Sequence, residues 1–434
     1  MLSHRAVKTA SQLDIPWRFV PGAKDRYDPV SNPNGIVSLA TAENPLMHQE
    51  LADFASKVDI PPAAFTYSYS SLGGPRLHAA LATHLNETFA PVTKIPASDI
   101  QVFDGATALH SLLSFSLAEA GDAILVSRPV YGRFELDFGN EHDVKIRYAD
   151  NSTEDGLKPS IVEAFERAFA LAEEEGVRVR AILLVNPSNP LGRCYPRETL
   201  IEVMKFCQHR RLHLISDEVY GLSVFGAELS DDLAPEKSLV PFTSILSIDT
   251  QGLIDPDLLH VEYGTSKDFA AAGLRLGVLI TRNRELQRAM RTVVRFHEPS
   301  GPSTVIGAAM FEDREWCRYF VALSRRRIAE AYEFATDRLR GMGVDFLPAN
   351  AGFFVLINLE TWLPPTTEKL SQQEREFKLA EELVKGGVFL HPGEEHALEP
   401  GRFRLVYTAQ RQALDEALQR LKKVLGALPW ATRE

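Results

Sequence analysis

One lysine of the chain is set among small residues, in Tyr263-Gly264-Thr265-Ser266-Lys267-Asp268-Phe269-Ala270-Ala271-Ala272-Gly273-Leu274-Arg275-Leu276-Gly277. A lysine flanked in this way can stand where a carbonyl carbon reaches it. Burial there lowers its pKa towards the free amine that forms a Schiff base. Arg275, eight positions on, would meet an anion beside it. Taken alone the stretch also reads as an ordinary surface lysine in a loop, so other segments must decide its chemistry.

From residue 100 onward, short apolar runs alternate with amphipathic helical patterns, the signature of a largely parallel sheet with helices on both faces. Strands are expected at 100–103, 123–126, 144–148, 181–185, 213–216, 258–263 and 276–280. Ligands on such sheets bind at the carboxyl ends of strands, so the residues after each run belong together. The first run leads into Asp104-Gly105-Ala106-Thr107, opening a helix whose first N–H groups can hold a phosphate. The second leads into Arg128-Pro129-Val130-Tyr131, with an aromatic at a loop tip. Asn186-Pro187-Ser188-Asn189-Pro190-Leu191-Gly192 follows the run ending at 185, and Asp217-Glu218-Val219-Tyr220 the run ending at 216. The run 258–263 delivers the Lys267 loop. Together the strand ends offer a phosphate cradle, an aromatic face, an amide, a carboxylate with a phenol, and an amine.

That set describes the needs of pyridoxal 5′-phosphate. A lysine forms the imine, a carboxylate keeps the ring nitrogen protonated, an aromatic stacks on the ring, and an amide and a phenol hold its phenolate oxygen. The motifs also carry a family resemblance. Asn186-Pro-Ser-Asn-Pro-Leu-Gly192, Ser216-Asp-Glu-Val-Tyr220, Ser266-Lys267-Asp268 with Arg275, and Asn350-Ala351-Gly352 occur in this order in fold-type I aminotransferases of class I/II. With Ala42-Glu43-Asn44 and Gly105-Ala106-Thr107, the chain most resembles the 1-aminocyclopropane-1-carboxylate synthase-like branch, over nearly its whole length.

The resemblance implies that Lys267 is the Schiff-base lysine and then the general base towards the substrate Cα proton. It implies Asp217 as partner of the ring nitrogen, Tyr220 and Asn189 as ligands of the phenolate oxygen, and Tyr131 as the stacking ring. Ala106, Thr107, Ser266 and Arg275 would form the phosphate site, and Arg404 in Arg402-Phe403-Arg404-Leu405 would take the α-carboxylate. Glu43 resembles the branch's active-site glutamate, and equally reads as a solvated loop carboxylate. Two positions depart from the pattern. Gly264 stands where the family has a phosphate-binding serine, so Ser266 or a backbone N–H must substitute. In Tyr67-Ser68-Tyr69-Ser70-Ser71-Leu72-Gly73, Ser71 falls at the branch's tyrosine beside the cofactor, with Tyr67 or Tyr69 able to replace it after a small loop shift.

The expected fold is α/β, a fold-type I arrangement with an N-terminal arm (1–60) packing with the small domain, a large domain (61–304) and a smaller α+β C-terminal domain (305–434). The arm carries Pro16, Pro21, Pro29, Pro33 and Pro45 and should be extended, with one helix near 49–56. Helical patterns fill 305–339, short strands fall in 344–358, 388–392 and 402–408, and 364–373 reads as an exposed loop.

With 47 Lys+Arg against 58 Asp+Glu, a net charge of −11 and no basic block, nucleic acid is not an expected partner. Cys194, Cys207 and Cys317 are odd in number and lack a C-x-x-C spacing, which suits free thiols in a reducing compartment and neither a disulfide frame nor a metal site. No apolar run is long enough to span a bilayer and residues 1–17 hold no signal-like core, so a cytoplasmic protein without a membrane partner is expected. The resemblance adds a homodimer with shared active sites. Glu43 tilts the expected reaction towards loss or substitution of a β- or γ-substituent, with a sulfur-containing or S-adenosylmethionine-like amino acid as substrate. Transamination to a 2-oxo acid is the alternative, and a non-catalytic cofactor-binding sensor the third reading.

Overall fold

The computed structural model describes residues 1–15, 25–70, 74–151, 156–229, 239–366 and 369–430. Its strands are β1 (Val37–Ser38), β2 (Ile100–Phe103), β3 (Ala123–Arg128), β4 (Lys145–Asp150), β5 (Val179–Val185), β6 (His213–Asp217), β7 (Leu259–Gly264), β8 (Gly277–Thr281), β9 (Asp345–Leu347), β10 (Phe354–Asn358), β11 (Val388–Phe389) and β12 (Arg402–Val406). Seven of them form one sheet in the order β2-β8-β7-β6-β5-β3-β4. β8 runs antiparallel to β2 and β7, and the remaining pairs are parallel. The sequence expectation for these seven strands holds to within two residues at each end.

The inner strands are buried and rich in apolar residues because both sheet faces are covered, while the edge strand β4 is only partly buried. Alternate residues go to opposite sides. Ile124, Val126, Ala181, Leu183 and Val185 pack with Leu109, Phe134 and Phe138 of the helices Gly105–Leu117 and Phe134–His142. Leu125, Ile182 and Leu184 pack on the other side with Leu81, Phe165 and Met204 of Leu77–Thr88, Ile161–Glu174 and Arg197–Arg210.

The C-terminal lobe has the antiparallel sheet β12-β10-β9, against which Arg411–Leu425 lays Leu414, Leu418, Leu421 and Leu425. The expected division at 304/305 falls inside the helix Gly301–Glu312, while the two cores change over within the 27-residue helix Arg314–Arg340. Cys317 and Phe320 belong to the large core, Ile328, Tyr332 and Leu339 to the smaller one.

The arm departs from an extended chain with one helix. Besides His48–Ala55 it forms His4–Ala10, where the Ser3 hydroxyl accepts from Ala6 N–H at 3.2 Å and Arg5 donates to the Glu141 carbonyl at 2.7 Å. An N-cap and one anchor on the large lobe suffice to order a turn pair that carries no apolar stripe. Further on, β1 pairs in parallel with β11, and Arg420 donates to the carbonyls of Gly35 and Pro33, so this part lies on the C-terminal lobe. In the loop 67–73, Tyr67–Ser70 forms one helical turn, and Ser71, Leu72 and Gly73 lie outside the described residues. Most of 364–373 precedes the helix Gln372–Lys385, which opens on a Ser371/Glu374 capping box. All three cysteines are buried free thiols. Among the described residues, no helix is long and apolar enough to cross a membrane.

Candidate functional site

The carboxyl ends of the parallel strands meet the arm and β12 around a cavity of about 440 Å³. Lys267 follows β7 and is half-buried, its Nζ donating to the Ala42 carbonyl at 2.7 Å and standing 5.7 Å from the Tyr220 ring centre. Burial first, then the Arg404 charge, pulls its pKa down to about 8 against the opposing pull of Glu43 and Asp217. The next residue holds the loop in place: Asp268 accepts from the Ser223 hydroxyl at 2.6 Å and the Leu222 N–H at 2.9 Å. That ties the lysine's backbone to the turn after β6.

Asp217 ends β6, buried, with Oδ1 accepting from Val219 N–H at 3.1 Å. Burial, followed by the neighbouring Glu262 charge, pushes it up to about 7. A cation placed against it would relieve both terms. Tyr220 sits three residues on and borders the same cavity, and among the described residues its hydroxyl has no hydrogen-bond partner. Asn189 accepts from Arg404 Nη1 at 2.9 Å through Oδ1, which leaves its Nδ2 donor for a ligand. Tyr131 borders the cavity with its ring fixed edge-on by Phe134 at 5.2 Å.

Ala106 and Thr107 occupy the first turn of Gly105–Leu117, with Ser266 and Arg275 beside them at the cavity. Arg275 donates to the Asp104 carbonyl at 3.3 Å and is half exposed. A Cβ at Gly105, whose φ is +87°, would collide with the Arg275 guanidinium, so the glycine lets the arginine close over the helix start. The missing serine at 264 also has a steric cause. A Cβ there would come 2.8 Å from the Leu276 carbonyl, and one at its register partner Gly277 would run into the Gly105 backbone. β7, β8 and the helix start are packed too closely for a side chain at 264, and Ser266, two residues on, borders the cavity together with Thr107.

Arg404 on β12 is buried, donating to the carbonyl of Ala40 and lying 3.1 Å from His391 Nδ1. Its Nε has no partner, and among the described residues the guanidinium makes no ion pair. Such an arrangement suits a planar carboxylate. Glu43 is exposed at the cavity's edge, with its carbonyl held by the Thr408 hydroxyl at 2.5 Å. The structure therefore gathers every expected site residue but Tyr67, which is 98% exposed and outside the cavity of its own chain.

Sequence reading missed a second layer. His110 bonds to Glu262 Oε2 through Nε2 at 2.9 Å and to Asp137 Oδ2 through Nδ1 at 3.0 Å, and one imidazole nitrogen, one Asp217 oxygen and one Glu262 oxygen lie within 4.8 Å of one another. Both imidazole nitrogens already face carboxylates, so the ring serves as the cation of this cluster and not as a metal ligand. The available signal was Glu262 itself, an acid inside the apolar run of β7. His391 and Arg133, which also border the cavity, carried none.

An amine of lowered pKa, a buried carboxylate open to a cation, free amide and phenol donors, a helix start with a serine and an arginine, and a buried unpaired guanidinium together fit a phosphorylated pyridine aldehyde and an amino acid. The comparisons with known proteins agree. The model of the family "Aminotransferase class I and II" matches residues 35–421. The human 1-aminocyclopropane-1-carboxylate synthase-like protein 1 is 33% identical over 412 residues, covering 93% of this chain and 78% of that protein. The "Probable aminotransferase aclI" of Aspergillus oryzae is 31% identical over 400 residues, covering 90% and 91%. A Thermus thermophilus aspartate aminotransferase double mutant superposes with a TM-score of 0.69 over 98% of this chain and 97% of its own, at 22% identity, which shows a shared fold.

Proposed function

Because the chain belongs to the class I and II aminotransferase family, we propose that it uses pyridoxal 5′-phosphate, binds the carboxylate of an α-amino acid at Arg404 and takes the Cα proton on Lys267. The observation that carries this reading is the Lys267 amine, held at about 8 in the cavity it shares with Asp217 and Arg404. When bound, pyridoxal 5′-phosphate supplies the electron sink that makes a Cα–H bond acidic. Lys267 Nζ, neutral in an appreciable fraction near neutral pH, accepts that proton. Asp217 offers negative charge to a ring nitrogen, while Asn189 Nδ2 and the Tyr220 hydroxyl donate to a phenolate oxygen. The first turn of Gly105–Leu117, with Ser266 and Arg275, meets the phosphate, and Tyr131 offers a ring face. Arg404, which lines the cavity and has an Nε without a partner, meets the carboxylate.

For the outcome we propose loss or replacement of a β- or γ-substituent, with carbon–sulfur cleavage of a sulfur-containing or S-adenosylmethionine-like amino acid as the type. Glu43 supports this: it borders the cavity close enough to raise the proton affinity of Lys267, and a carboxylate there can orient a sulfonium or carry a proton during elimination. The second reading is transfer of the amino group to a 2-oxo acid, favoured by the likeness to the Aspergillus protein named as an aminotransferase. The two differ in their need for an acceptor. Incubating the purified protein with candidate amino acids, with and without a 2-oxo acid, and identifying products by mass spectrometry separates them: continued turnover on amino acid alone supports cleavage. Turnover that stops at one equivalent and resumes with the oxo acid establishes transamination, and cofactor uptake without either leaves a sensor.

The homodimer is also a proposal. Phe65 and Tyr67 are 73% and 98% exposed on an ordered turn, which suits them to a partner copy. Light scattering that finds a fully active monomer removes it.

A further inference from the structure

Asp217 and Glu262 are register partners on adjacent parallel strands, so both side chains leave the same face of the sheet. His110, from the helix Gly105–Leu117, bonds to Glu262 at 2.9 Å and, through its other nitrogen, to Asp137 of Phe134–His142 at 3.0 Å. The Phe138 ring stacks on the imidazole at 5.0 Å and Phe134 meets it edge-on at 5.1 Å. Glu262 is 0% and His110 2% exposed, and the second Glu262 oxygen, Oε1, is buried without a hydrogen-bond partner. The charged and titratable groups around His110 are thus Asp137, Glu262 and Asp217, with Lys267 and Tyr131 across the cavity. Three carboxylates face one imidazole. A buried carboxylate with an unused oxygen is costly unless a further positive charge comes close.

We propose that Glu262 and His110 are positioning residues for the proton on the cofactor's ring nitrogen: Glu262 adds a second negative charge beside Asp217, and His110 pairs with Glu262 and holds it in place. The inference rests on the reading that pyridoxal 5′-phosphate binds at Lys267. The cluster behaves as this role requires. Burial and then the Glu262 charge push Asp217 up, so that a cation is drawn to it. Burial opposes protonation of His110, yet the Glu262 and Asp137 carboxylates hold its pKa well above the ordinary imidazole value. A ring nitrogen set against Asp217 alone would face one charge partly offset by Lys267. With Glu262 the balance favours the proton over a wider pH range.

The test loads the protein with cofactor isotopically labelled at the ring nitrogen and follows its chemical shift with pH. In wild-type protein the shift should remain that of a protonated ring. Glu262→Gln should keep the lysine-linked chromophore and the circular dichroism while lowering the ring's proton affinity about tenfold, the scale of one partly compensated charge a few ångströms away. Glu262→Asp should restore it. An unchanged ring-nitrogen titration in folded Glu262→Gln overturns the proposal. Should that variant not fold, the wild-type holoprotein decides alone: the His110 side-chain nitrogens should report a doubly protonated ring at about pH 8, above the ordinary imidazole range, and a neutral ring there overturns it. Wild-type protein that forms no lysine-linked chromophore overturns the cofactor reading itself. An intact chromophore with an insensitive ring nitrogen overturns only the role of Glu262.

Discussion

On one wall of the cavity, Asp217, Tyr220 and Lys267 leave the ends of neighbouring strands of a single sheet; on the other, Ala40, Ala42 and Glu43 of the arm meet Arg404 and His391 of the C-terminal lobe. The sheet wall is held by side chains locked within the large core. Asp268 grips the turn after β6. Glu218 accepts from Ser216, Ser244 and the Ile245 N–H, and His110 bridges Glu262 and Asp137. The second wall is joined to the first through the Ala42 carbonyl, which accepts from Lys267, and through Arg404, which donates to Asn189; within it the Ala40 carbonyl accepts from Arg404, and one guanidinium nitrogen has no partner. The first wall is built so that proton affinities hold steady. The second is built from segments that meet only in the folded chain, with valences left for a substrate. Under the proposed function, the proton transfers fall to the first wall and the hold on the substrate to the second.

The largest effect expected is at Lys267. Lys267→Ala should lower turnover by about 10⁴-fold or more and remove the lysine-linked chromophore, while the phosphate contacts still retain cofactor. Borohydride reduction and peptide mapping of wild-type protein should find the label on Lys267; a label on another lysine would move the chemistry off the sheet wall. Next, Asp217→Asn should slow solvent deuterium exchange at the substrate Cα by about 10³-fold with the fold retained, since an amide no longer favours a protonated ring. Wild-type exchange rates would reduce Asp217 to a structural residue.

On the opposite wall the effect should be one of affinity. Arg404→Lys is expected to raise KM roughly tenfold to a hundredfold and to change kcat much less, because it replaces a planar fork by a point charge. A kcat loss as large as that of Asp217→Asn would erase the distinction between the walls.

The pH dependence of stability sharpens it further. Asp217, Glu218 and Asp268 are each pushed by burial to about 7, well above ordinary carboxyl values. Their raised folded-state pKa values favour the protonated acids, so this stability is present below the ordinary carboxyl range and is lost as pH rises through about 7. Thermal unfolding of cofactor-free protein should therefore shift to lower Tm between about pH 5 and pH 8. Cofactor loading, which brings a cation to Asp217, should raise Tm by an increment that grows over the same window; an increment that shrinks would mean that no cation sits there. The smallest effect is expected from Glu43→Gln, a few-fold loss of turnover on amino acid alone without loss of cofactor, at the scale of one exposed charge. No change would place Glu43 with the solvated arm residues.

Much of the sheet wall was legible in the chain itself. Strands buried on both faces must be continuous apolar runs, and Asp217, Asn189 and Lys267 each follow such a run. A polar residue at the end of a buried strand is conspicuous, and the sheet rule says that such ends converge. Gly264 was visible as a departure, but its reason was not: it lies in the distance to the Leu276 carbonyl and in the packing of Gly277 against Gly105. The changeover of cores within Arg314–Arg340 was hidden for a similar reason, because one unbroken helix gives no break in periodicity where its neighbours change. His110 and Glu262 are 152 residues apart, and His110 and Asp137 are 27 apart on a different helix, so only the packing of two helices on the sheet brings them together. The carbonyls of Ala40 and Ala42 are beyond any sequence reading, since every residue has one. Local pattern determines which groups line the ends of strands; which distant backbone oxygen or carboxylate completes their valences is decided by tertiary packing, because a hydrogen bond depends on distance and direction, not on residue type alone.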